Sequence, residues 1–131
     1  MRAEQLPKIV QEAYRILRHG GIMYVGIDFK DHRAKHHRNL TIYDYLQYTS
    51  EEWLLLEEKC KKPYGQNRLR LPDHLANFTA AGFEIVDIER DVIDDTDRAA
   101  FATVKVAEEF KSKYSEAELM EKGVRIILRK P

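Results

Sequence analysis

Asp28, Asp31, His32, His36 and His37 crowd into ten residues of the chain. Imidazoles and carboxylates at that density suit two kinds of chemistry, holding a metal ion and moving a proton near neutral pH. If residues 31–37 are helical, His32 and His36 share one face. Imidazoles at that spacing, with Asp28 as a carboxylate, offer the donors of a zinc-type site. The cations Arg33, Lys35 and Arg38 oppose a bound metal, and no His-Glu-x-x-His pattern is present. The expectation is no metal, with His32, His36 and Asp28 as the alternative ligand set. A solvated polar loop is the plainest reading of the stretch.

A second cluster, Asn67-Arg68-Leu69-Arg70, puts two guanidiniums at alternate positions. In an extended chain both point to one side and can clamp a carboxylate or phosphate. The competing reading is surface ion pairing with acidic helices. Tyr43, Tyr45, Tyr48, Trp53 and Tyr64 suit an aromatic lid, or a core with hydroxyls at its edge. Cys60 is the single cysteine, so no internal disulfide forms. Its neighbourhood names no chemistry.

The elements that position these groups follow from periodicity. Leu6, Ile9, Val10, Ala13, Ile16 and Leu17 keep helical spacing over residues 3–18, and Gly20-Gly21 ends that helix. Ile22 to Ile27 is a short apolar run, expected as a strand buried on both faces. Residues 28–39 form a loop or loose helix, and residues 40–48 carry a weak helical pattern. Ser50 caps a helix whose first turn is acidic, Lys61-Lys62-Pro63 ends it, and residues 64–67 turn. Pro72-Asp73 opens another helix that runs to Gly82. Residues 83–89 make a second strand, and Asp91 to Asp97 reads as a solvated acidic stretch. Residues 99–114 are one helix or a loop and a helix. Ser115 and Glu118 match a capping box before a short helix, and residues 124–128 form the last strand. Strands alternating with helices argue for an α/β sheet.

At 131 residues the chain is expected to be one domain. Lysine plus arginine and aspartate plus glutamate are both 22, so the formal net charge is zero. No global field draws in nucleic acid or a membrane surface. No apolar run approaches the roughly 20 residues that cross a bilayer, and the first residues do not read as a signal peptide. A soluble, cytoplasmic protein is expected.

Three marks, in order, resemble one family. Leu17-Arg18-His19-Gly20-Gly21 resembles the leucine-lysine-proline-glycine-glycine turn before the fifth strand of class I, S-adenosylmethionine-dependent methyltransferases, with His19 where proline is usual. Ala80-Ala81-Gly82-Phe83-Glu84-Ile85 resembles the approach to the sixth strand of that family. Arg125 to Leu128 followed by Arg129-Lys130-Pro131 resembles the seventh strand and its basic end. Asp28, Asp31-His32, Tyr48-Thr49-Ser50, Trp53 and Asn67 to Arg70 resemble a bacterial and archaeal subgroup.

The resemblance implies the C-terminal half of a Rossmann-like methyltransferase domain. It implies a three-stranded mixed sheet in the order first-last-middle, with strand 124–129 running antiparallel between strands 22–28 and 83–89. The loop after the first strand then lines the pocket for a small-molecule acceptor. Asp28, Asp31, His36, Asn67, Arg68 and Arg70 are its expected binding residues, and His32 is the proton acceptor. The family holds S-adenosylmethionine through a glycine-rich loop after its first strand and an acid ending its second. This chain contains neither, so no cofactor binding is expected of it alone, and it is expected to be inactive alone. The apolar strand 22–27 would be an open edge, implying a homodimer or an N-terminal half as partner. The alternatives are a non-catalytic binding or assembly module, and a metal-binding protein using the histidine loop.

Overall fold

The computed structural model describes residues 1–60 and 66–131. The expected helix end at Lys61 to Pro63, the turn at Tyr64-Gly65 and the lid role of Tyr64 lie outside the described residues. Three strands, β1 (Ile22–Asp28), β2 (Glu84–Arg90) and β3 (Gly123–Arg129), form a sheet in the order β1-β3-β2. Both ladders are antiparallel, with Ile22 opposite Arg129 and Glu84 opposite the same residue. The sheet is therefore antiparallel rather than mixed, because β1 and β2 run the same way but never pair. The register of β2 shifts between Ile85 and Asp87, leaving Val86 as an extra residue in a bulge.

Alternation sorts the sheet's two faces. Val124, Ile126 and Leu128 are buried beneath α1 (Leu6–Ile16) and α3 (Leu71–Ala81), with Leu6, Val10, Phe78 and Phe83. The opposite face is uncovered among the described residues. There Ile22 and Tyr24 are 63% and 64% exposed, which corrects the expectation of a strand buried on both faces. Cross-strand ion pairs Arg129–Glu84 at 2.6 Å and Arg125–Glu89 at 3.1 Å flank this apolar strip.

Two caps fix α1 and α3 against the sheet. Lys130 Nζ donates to the carbonyls of Tyr14 and Leu17, both at 2.8 Å, closing the C-terminal end of α1. Gly82 ends α3 with φ 103°, and its Cα faces the Tyr14 ring, where an added Cβ would meet ring atoms at 3.0–3.2 Å. Of the expected stripe on α1, Leu6 and Val10 are buried, but Ile9 and Ile16 are exposed.

A second apolar cluster sits beyond the sheet. It joins Tyr43, Tyr45, Leu46, Trp53, Val106, Phe110 and Leu119. They come from a 3-10 turn (Asp44–Gln47) capped by Tyr43 and from the helices α2 (Ser50–Lys59), α5 (Glu108–Lys111) and α6 (Glu116–Met120), with Val106 in the approach to α5. Thr49, not Ser50, caps α2, and its hydroxyl accepts the Glu52 N–H. Ser115 and Glu118 form the expected capping box on α6. The acidic stretch is not simply solvated. Asp94 caps α4 (Asp95–Ala102), and Asp97 is buried against Lys122 at 2.7 Å. Among the described residues no helix is long and apolar enough to cross a membrane.

Candidate functional site

A small cleft of about 120 Å³ opens at the carboxyl end of β1. Its polar lining comes from three places in the chain: Asp28 and His32 after β1, Gln66 to Arg68 before α3, and His74 inside α3. Phe29, Tyr45 and Leu69 supply the apolar walls. Gln66 stitches two of these segments together: its Nε2 donates to the Lys30 carbonyl at 2.9 Å, and its Oε1 accepts the His32 N–H at 3.4 Å.

Asp28 ends β1 with Oδ1 accepting the Lys30 N–H at 2.9 Å, while Oδ2 lies 4.0 Å from His32 Nε2. The separation is too long for a hydrogen bond and short enough for a protonated imidazole to be attracted. Asn67 Oδ1 accepts the Leu69 N–H at 3.0 Å, leaving its amide nitrogen for the cleft.

The remaining expected site residues are placed differently. Asp31 is 1% exposed and grips Arg33, with Oδ2 2.6 Å from Nη2. Burial works against the Arg33 charge, but Asp31 outweighs it and the guanidinium's proton is held more tightly than usual. Arg68 sits in the left-handed region at φ 55°. Its Nη1 donates to the carbonyls of Tyr48 at 2.6 Å and Tyr45 at 3.3 Å, and Nη2 lies 3.6 Å from Glu109. Arg70 is fully buried away from the cleft, over the Phe29 ring, donating to the carbonyls of Glu118, Leu119 and Glu121 and to the Tyr45 hydroxyl. The two guanidiniums are thus held by protein oxygens and do not form a shared clamp. Burial pushes the Tyr45 hydroxyl up to about 12, against the pull of Arg70, so it stays protonated as a hydrogen-bonding group.

His36 is exposed beyond a single 3-10 turn (His32–Lys35). A 3-10 turn does not stack positions four apart as an α-helix does. Among the described residues no three His, Cys, Asp or Glu side chains converge, so His32, His36 and Asp28 do not assemble as the alternative ligand set.

His74 was not picked out by residue type or spacing, yet it is buried in the cleft's wall at 6% exposure. Its ring sits between Phe29 and Phe78, with centroids 5.9 and 6.5 Å away. Burial lowers its pKa, Asp73 opposes this, and Arg70 adds to it, so the ring is neutral at pH 7. A signal was available: Leu71, His74, Leu75 and Phe78 keep helical spacing, and a histidine within an apolar stripe is a polar group directed inward. No protein-family model matches the chain, and no curated protein matches it in sequence.

Proposed function

We propose that the chain is the acceptor-side half of a class I, S-adenosylmethionine-dependent methyltransferase-like domain, and that the cleft beyond β1 receives the methyl acceptor. The observation that carries this reading is the sheet order. An antiparallel β3 lies between β1 and β2, and those strands follow Gly20-Gly21 and Gly82 as the resemblance expects.

Two further features support it. The cleft lies at the carboxyl end of a strand, where open α/β sheets receive ligands. The outer edge of β1 has no ladder partner among the described residues, and the face bearing Ile22 and Tyr24 is uncovered. That edge and face are where the other strands and second helix layer of a whole domain would attach. In the chain alone a second copy pairing through β1 can occupy the same edge.

The residues present do not fit the cofactor. The glycine-rich loop and strand-ending acid through which the family holds it have no counterpart in the chain, and the cleft beyond β1 is small, about 120 Å³. Cofactor contacts therefore belong to another segment or chain. Within this half, His32 beside Asp28 is the proposed proton acceptor for the bound molecule.

Hydrogen exchange tests the reading. The chain is compared, at a concentration where it is monomeric, with a polypeptide joining it to the segment encoded directly upstream. The outward amides of β1 are expected to exchange quickly in the chain alone and at least about tenfold more slowly when joined. Unchanged exchange in a folded joined polypeptide contradicts the reading.

A further inference from the structure

We propose that the cleft beyond β1 takes a small amine, held between the Asp28 carboxylate and the His74 ring. The inference rests on the acceptor-side reading for its biological role, but the binding itself is a property of this chain.

His74 carries the argument. It is 6% exposed and lines the cleft, and among the described residues neither ring nitrogen has a hydrogen-bond partner. The ring nitrogens are not sealed inside the protein, so an imidazole that lines the cleft without a protein partner offers them to a ligand atom. A neutral imidazole offers one acceptor nitrogen and one N–H.

Charge selects the ligand class. The guanidiniums around the cleft are already engaged: Arg33 by Asp31, Arg68 by two carbonyls and Glu109, and Arg70 by the carbonyls of α6 and its C-terminal end, and Met1 in the lining has a partner of its own. Among the described residues Asp28 accepts a backbone N–H and lies near a distant imidazole, and its carboxylate is the acidic group of the cleft lining. An ammonium group can donate to Asp28 and to the His74 acceptor nitrogen together, whereas a carboxylate or phosphate meets Asp28 as a like charge.

Size and walls narrow the class further. The space admits a compact molecule, and Phe29, Tyr45 and Leu69 give it an apolar flank. A short amine with an aromatic or branched apolar end matches both. Benzylamine is therefore a suitable probe, and benzoate is its control of equal size and opposite charge.

The test is nuclear magnetic resonance on the isotope-labelled full chain near neutral pH, following the backbone amides and the histidine ring nitrogens. Benzylamine is expected to bind saturably with a Kd on the order of 1 mM. The His74 ring signals and the Asp28 and Asn67 amides should shift, while benzoate leaves them in place. His74→Phe and Asp28→Asn should each weaken binding at least about tenfold with the rest of the spectrum unchanged. His74→Gln, which keeps polar atoms at the site, serves if the phenylalanine variant fails to fold. The proposal is overturned by no saturable shift, by equal response to benzoate, or by unaltered binding in a folded His74 variant. A failure here leaves the methyltransferase-like reading in place with another acceptor, because that reading rests on the sheet order and is tested separately by hydrogen exchange in the joined polypeptide.

Discussion

Arg70 Nη2 donates to the carbonyl oxygen of Leu119 at 2.9 Å, tying the head of α3 to the end of α6 across 49 residues. The same guanidinium reaches the carbonyls of Glu118 and Glu121 and the Tyr45 hydroxyl, so one buried cation joins the sheet core to the helical cluster. Helix ends leave carbonyls without partners, and here an arginine side chain satisfies them where glycine capping is absent.

Arg70→Met is therefore expected to cost about 3–5 kcal/mol, because it leaves several buried carbonyls unpaired. Arg70→Lys should recover little, since an ammonium cannot reproduce the planar fork. Urea unfolding of the three proteins checks this, and a loss below about 1 kcal/mol for Arg70→Met contradicts it.

His74 makes stability depend on pH with a defined sign. Its folded pKa lies below the ordinary 6.5, so the unfolded chain binds the proton more readily. Its contribution to stability is full above pH 6.5 and is lost as pH falls from there toward the folded value. His74→Phe should flatten that part of the profile. Denaturation midpoints measured at intervals from neutral pH to about pH 5 test it, and an unaltered slope in the variant assigns the loss to other groups.

The strands and most helices were legible because glycine turns and hydrophobic periodicity are local signals, whereas the sheet order was expected only from the resemblance. Gly82, Ser115 with Glu118, and the apolar β3 acted as residue type alone suggests. The cleft was legible only in part. Asp28, His32, Asn67 and Arg68 meet at the end of β1, but Asp31 turns back onto Arg33 and Arg70 turns inward to α6. Such choices depend on which carbonyls tertiary packing leaves unpaired, and residue spacing carries no record of them. The open side of β1 was hidden for a similar reason: a continuous apolar run looks the same whether its second face is covered within the chain or by something else.

Gly82→Ala should destabilise by about 1–3 kcal/mol, since a φ of 103° strains any side chain and the Tyr14 ring stands against the new methyl group. Thermal unfolding measures it. A neutral or stabilising effect contradicts the close packing of α3 on α1.

The apolar edge of β1, without a ladder partner among the described residues, should drive self-association of the chain alone. Light scattering after size exclusion is expected to report a dimer, in which β1 of two copies pairs about a two-fold axis. Tyr24→Pro removes an outward donor, because the amides of Val25 and the other odd residues of β1 face β3, and it should weaken the dimer. A monomer of 15.4 kDa at high concentration contradicts the expectation.

The central claim is that this chain supplies the acceptor side of a methyltransferase-like domain and that its partner segment supplies the cofactor side. Calorimetric titration with S-adenosylmethionine tests it most directly. The chain alone is predicted to show no binding up to about 1 mM, and the polypeptide joined to its upstream segment is predicted to bind with a Kd in the range of about 1–100 μM. Micromolar binding by the chain alone, or none by a folded joined polypeptide, contradicts the account.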